Sequence, residues 1–143
     1  MDTLVDILHE GHHSLVVGGS TVSKYDGRGV ADLYRLSHDT PALLHGASIA
    51  DKVVGKGAAA LMAWAKVGEV YADVVSSPAL DLLENNGIPV TYATLVPHIV
   101  NRTGTGMCPL ETRCLPCATV EECLVQIETF IEEMKQKNNR LDE

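Results

Sequence analysis

At 143 residues, with 45% hydrophobic and 21% charged residues, the chain has the size and balance of one globular domain. Its net charge of −8, its scattered eleven Lys and Arg, and its single Phe and Trp argue against a nucleic-acid polymer as partner, because such partners need a basic face. A single nucleotide is not excluded, since it needs only one local cationic pocket.

Residues 1–10 carry acidic side chains and no long apolar run, so they do not read as a secretory peptide. The weakly polar stretch 53–65 is interrupted by Lys56 and is too short to span a bilayer. The expectation is a cytoplasmic protein with no membrane partner, whose four cysteines are thiols. Residues 1–137 are expected to form the domain and 138–143 a polar tail.

Leu4, Val5, Ile7 and Leu8 lie on one side of a short helical segment that stops near Gly11. Residues 14–17 are a short apolar run, Gly18-Gly19 signals a turn, and 21–25 resume extended character, which together read as a β-hairpin. Asp26-Gly27-Arg28-Gly29 breaks the strand and leads into a helix through Ser37, bounded by Pro41. Residues 47–50 read as a third strand. From Asp51, the stretch Asp51-Lys52-Val53-Val54-Gly55-Lys56-Gly57, followed by three alanines, Leu61, Met62 and Trp64, reads as one buried helix to Lys66. Gly68 is its expected C-cap.

Residues 69–75 form an apolar-rich strand. Ser77 then caps a helix with Pro78 at its first position, running to Gly87. Residues 88–95 are another strand. A loop with Pro97, Gly104, Gly106 and Pro109 leads to a last short strand around 113–117. Thr119-Val120-Glu121-Glu122 has capping-box spacing, and Val120, Leu124, Ile127, Ile131 and Met134 mark one face of the terminal helix. Strands alternating with helices imply parallel neighbours and right-handed crossovers, with the initial hairpin as an antiparallel edge. The prediction is a three-layer α/β/α sandwich on a mixed sheet of about five strands.

Four stretches run through most of the chain: Gly27-Arg28-Gly29-Val30; residues Asp51 to Lys56; Tyr71-Ala72 leading to Ser77-Pro78-Ala79-Leu80; and Asn101-Arg102 with Gly104-Thr105 and Met107-Cys108-Pro109-Leu110-Glu111. In this combination the sequence resembles an uncharacterised bacterial family, known only as a domain of unknown function, with a cytidine-deaminase-like fold. Working deaminases place a His-or-Cys-x-Glu triplet at the start of the second core helix and Pro-Cys-x-x-Cys at the start of the third. Here Asp51-Lys52-Val53 offers no soft ligand, and Ala79 and Leu82 stand where the two cysteines belong. Zinc-hydroxide chemistry therefore has no ligand set, and no cofactor is implied.

The resemblance puts a pocket at the N-terminal ends of those two helices, gathering Asp51, Lys52, Lys56 and Ser77. Helix N-termini favour an anion. On a shared helix, Lys52 and Lys56 reinforce that preference, or else sit solvated against acids. Gly55 and Gly57, each costing roughly 0.8–1 kcal/mol within a helix, imply a close neighbour: the sheet, a ligand or a partner helix. Arg28 and Gly29, at a strand-to-helix turn, could cradle an anion, or the turn could simply need positive φ.

Asn101, Arg102, Cys108 and Glu111 share a Gly- and Pro-rich loop, the kind of segment where functional groups concentrate. Cys108 is a candidate nucleophile and Glu111 its orienting or proton-carrying partner, with Asp51 as a further reactive carboxylate. The competing reading makes Cys108 a small buried hydrophobe and Glu111 the ion-pair partner of Arg102. Cys114-Leu115-Pro116-Cys117 has metal or redox spacing, but on a strand its thiols would point to opposite faces. His9, His12 and His13 read as solvated surface, and His98 lies near the loop of Arg102.

Two functions follow as expectations. One is binding of a nucleotide-like or phosphorylated small molecule by Lys52, Lys56, Arg28, Gly29, Ser77, Asn101 and Arg102. The other is a non-catalytic domain for assembly, as a homo-oligomer, or for protein binding, with a vestigial pocket.

Overall fold

The computed structural model describes residues 1–27, 30–100 and 106–142. Helix α1 (Asp2–Glu10) turns Leu4 and Leu8, one helical turn apart, into the protein. Strands β1 (Leu15–Gly18) and β2 (Val22–Tyr25) form the expected hairpin, with Leu15 opposite Tyr25 and Gly18 opposite Val22. Helix α2 (Ala31–Asp39) ends where anticipated. Pro41 then opens a further short helix, α3 (Pro41–Leu44), because proline suits a first helical turn.

Strand β3 (Ser48–Val54) lies antiparallel to β1, with Val17 opposite Ile49. Next come α4 (Lys56–Ala65), β4 (Glu69–Ser76), α5 (Ser77–Asn85), β5 (Val90–Val96), α6 (Pro109–Cys114) and α7 (Val120–Asp142). The sheet order is β2-β1-β3-β4-β5, with β3, β4 and β5 parallel. The expected mixed five-stranded α/β architecture is present, with helices on both faces.

The two faces are unequal. Along β1 and β3, Val16 and Ala50 pack under Leu4 and Leu8 of α1 in a small cluster. Leu15, Val17 and Ile49 point the other way, into the main core, which also takes Val70, Ala72, Ala58 to Met62 and Ile127. The alternation is the period-two pattern of a sheet covered on both sides. Among the described residues, no helix is long and apolar enough to cross a membrane.

Several expectations are corrected. Asp51, Lys52 and Val53 are strand, not helix. The ladder to β4 pairs Asp51 with Ala72 and Val53 with Val74, and two β-branched residues followed by glycine are poor helix formers. Lys52 and Lys56 therefore do not share a helix face. Gly55 is the extended N-cap of α4, and its C-cap is Lys66 in the left-handed region (φ 60°), not Gly68.

The N-cap of α5 is Ser76, whose hydroxyl accepts from the Ala79 N–H at 3.3 Å, so Ser77 stands one place inside the helix. The expected strand at 113–117 is instead α6 and its exit, with Pro109 in the first turn and Leu110 and Cys114 turned inward. The polar tail continues the backbone of α7 to Asp142. The Thr119 cap holds, its Oγ1 accepting from the Glu122 N–H at 3.2 Å, while the Glu122 side chain reaches one residue further back than a capping box and accepts from the Ala118 N–H at 2.9 Å. On α7, Cys123 and Ile127 are fully buried, whereas Met134 is exposed.

Candidate functional site

The N-terminal ends of α4 and α5 lie at the ends of β3 and β4, side by side in a parallel pair, so their unpaired N–H groups converge. What they converge on is Glu111. This carboxylate is only 2% exposed. Its Oε1 accepts from the Lys56 N–H at 2.9 Å and from the Ser76 hydroxyl at 2.9 Å, and its Oε2 accepts from the Ile99 N–H at 2.8 Å. Because Ser76 Oγ also accepts from Ala79, one carboxylate serves the start of α4 directly and that of α5 through a hydroxyl. The anion that a pair of helix N-termini favours is supplied by the chain itself.

Gly55 and Gly57 are explained by the same helix. A Cβ on Gly55 would stand 3.1 Å from Glu111 Oε2, and one on Gly57 would stand 2.8 Å from Leu110 Cδ2. The close neighbour is therefore α6, not the sheet. Lys56 completes the clamp: its Nζ donates to the carbonyls of Leu115 (3.1 Å) and Cys117 (2.6 Å) as the chain leaves α6. A lysine on such carbonyls satisfies acceptors that a helix end leaves open. Both oxygens of Glu111 are thus hydrogen-bonded, and Lys56 spends its ammonium on backbone. Zinc does not fit here, since the first turns of both helices offer no thiol or imidazole and the converging groups are donors to a carboxylate.

Outside this node runs an open groove of about 850 Å³, bounded by α4, α5 and the α6–α7 connection. Lys56, Lys66, Ser77, Asp81 and Glu121 line it together with Trp64, which is 43% exposed. Two cations face two carboxylates, so the groove is not the electropositive hollow that the sequence suggested. Ser77 donates to the Val96 carbonyl at 3.4 Å.

The remaining candidates do not gather there. Asp51 and Lys52 sit on β3 and do not line the groove. Burial pushes Asp51 up to about 7, the Asp73 carboxylate adds to the rise, and backbone N–H groups of Val53 and Lys52 oppose it. Asp73 in turn accepts from Tyr71 at 2.8 Å and pairs with His9 at 2.7 Å, while His13 pairs with Asp26 at 2.6 Å. Two histidines expected as solvated surface are therefore partnered.

Cys108 is the half-buried N-cap of α6 and lies outside the groove. Arg28, Gly29, Asn101 and Arg102 lie outside the described residues.

The other three thiols meet. Cys114 on α6 and Cys123 on α7 are fully buried and lie close enough to perturb each other, with Cys117 near them. The interaction between these two thiols holds Cys114 below the usual thiol range and pushes Cys123 above it, while burial raises Cys117. The expectation of thiols on opposite faces of a strand fails because Cys114 ends α6 and residues 115–116 form a turn. Among the described residues, no group of three His, Cys, Asp or Glu side chains is arranged to hold a metal ion.

Sequence reasoning missed Ser76, the Ile99 amide, Trp64 and Lys66. The tandem Ser76-Ser77 held a signal, because a capping hydroxyl belongs to the residue just before the first helical position.

Fold and site define an α/β domain whose converging helix ends are closed by an internal carboxylate. The chain belongs to the family described as TM1506: Domain of unknown function (DUF1893), whose model matches residues 3–131. It is similar to the DUF1893 family protein (TM1506) of Thermotoga maritima, known from a crystal structure. The two are 26% identical with a TM-score of 0.83, over 90% of this chain and 87% of that one. Acinetobacter baumannii RibD is 15% identical with a TM-score of 0.41, over 64% of this chain and 33% of that one. No curated protein matches.

Proposed function

We propose that this domain works by binding and assembly and not by catalysis, its deaminase-type pocket surviving only as an internal joint. One observation carries the reading: the Glu111 carboxylate fills the meeting point of the α4 and α5 N-termini with three hydrogen bonds. A substrate anion would have to displace a buried, fully bonded charge, and such an exchange is strongly unfavourable.

The test is urea unfolding of Glu111→Gln. The amide puts an NH2 group against backbone N–H donors, so stability should fall by ~1–3 kcal/mol. A catalytic carboxylate behaves differently, because neutralising one commonly leaves stability unchanged or raises it. Unchanged or increased stability would remove the basis of the closed joint.

The groove favours a second reading. Exposed Trp64 and Lys66, lining the same groove, suit a ligand with a flat ring and a phosphate, as in a nucleotide. Thermal-shift screening against nucleosides and nucleotides tests it, with Trp64→Ala and Lys66→Ala as controls. A shift lost in both variants would support the groove, and silence across the library would leave assembly as the role.

A further inference from the structure

The two edges of the sheet are built differently. At one, β2 is four residues long and carries Lys24, devices that discourage a further strand from adding. At the other, β5 (Val90–Val96) is seven residues long, holds no charge and no proline, and pairs only with β4 among the described residues. Thr91 to Leu95 are all exposed, with Tyr92 at 41% and Leu95 at 44%. A long, uncharged, β-rich edge left open is a template for another strand.

We propose that β5 pairs antiparallel with β5 of a second copy about a two-fold axis through Ala93, making one continuous sheet across the dimer. The proposal rests on the assembly reading above and names its partner.

Three features select a second copy. First, the chain carries −8 and identical copies repel, so they can meet closely only along a stretch free of charge, which β5 is. Second, the segment is framed symmetrically by Pro89 and Pro97. With Ala93 opposite its counterpart, each proline falls opposite a proline, so the residue type that cannot donate to a ladder stands only at the two ends. A slipped register would put a proline against the ladder.

Third, that register sets Val90 opposite Val96, Thr91 opposite Leu95 and Tyr92 opposite Thr94. These are apolar, β-branched or aromatic pairs of the kind that stabilise a sheet, and none joins like charges. A closed two-fold contact also uses up the edge in both copies, leaving the short β2 strands at the outside.

Sedimentation velocity or light scattering on the full chain tests the pairing, with Ala93→Lys and Ala93→Glu as probes. Ala93 is exposed, so either side chain can project into solvent in the monomer, and far-UV circular dichroism verifies the fold. The wild type should be a dimer at micromolar concentration. Each variant should be a monomer, because two like charges meet at the axis, and an equimolar mixture should regain the dimer mass. A monomeric wild type, a dimer untouched by either substitution, or a mixture that stays monomeric would overturn the pairing. Failure of the closed-joint reading would register separately, as Glu111→Gln that loses no stability.

Discussion

Two places on this molecule share Lys56 and could hardly differ more. At the joint, its backbone N–H belongs to a buried network in which donors and acceptors are matched. In the groove, its side chain lies on an open wall where cations and carboxylates balance and a tryptophan ring faces solvent. The joint has what an anion site needs and is already filled. The groove is accessible and lacks the charge excess that a strong anion site requires. Electrostatic preference and accessibility have been separated onto two sides of one helix end.

The contrast breaks most decisively at Glu111. Glu111→Ala removes both acceptor oxygens from three donors and should cost ~3–5 kcal/mol in urea unfolding. A loss below about 1 kcal/mol would mean that the joint is incidental.

Asp51 sharpens the comparison, because it is a carboxylate without such matching. Its bonded N–H from Val53 is long, at 3.4 Å, and burial holds it up to about 7. Below its ordinary value of 3.8 the folded and unfolded chains are both protonated and nothing is lost. As pH rises from there the unfolded chain ionises first, so stability falls until about pH 7, where the full penalty is present. Asp51→Asn should flatten that slope and add ~2 kcal/mol above neutrality, less than the whole shift because the side chain is only half-buried. Parallel stability curves for the two proteins across this range would refute it.

The smallest effect belongs to Gly57→Ala. Its methyl presses on Leu110 at 2.8 Å. Overpacking costs about 1–3 kcal/mol, and recovered helix propensity returns up to about 1 kcal/mol, so a net loss of ~1 kcal/mol is expected. A gain would show that α6 shifts freely.

Elements with local signals were legible in the sequence. The Leu4–Leu8 spacing, the Gly18-Gly19 turn, the Pro78 in the first turn of α5 and the Thr119 cap of α7 each encode their structure within a few residues. The start of α4 and the identity of α6 were not. Asp51 to Val54 is settled by pairing with β4, and Pro109 to Cys114 is too short for a periodicity to distinguish helix from strand. Glu111 was picked out as important, but its partners were not foreseen. Its partners are mainly backbone amides at positions 56 and 99, and main-chain donors leave no mark on the identity of the residues that carry them.

The Glu111–Lys56 bond also sets a schedule for the growing chain. The amide at position 56 stays without its acceptor until 55 more residues have been made and α6 has left the ribosome. A nascent chain ending before that point has its sheet strands in hand, yet two helix starts remain unmated at its centre. Such an intermediate exposes apolar surface that only α6 and α7 cover, so stalling or truncation upstream of residue 109 should yield material that chaperones retain.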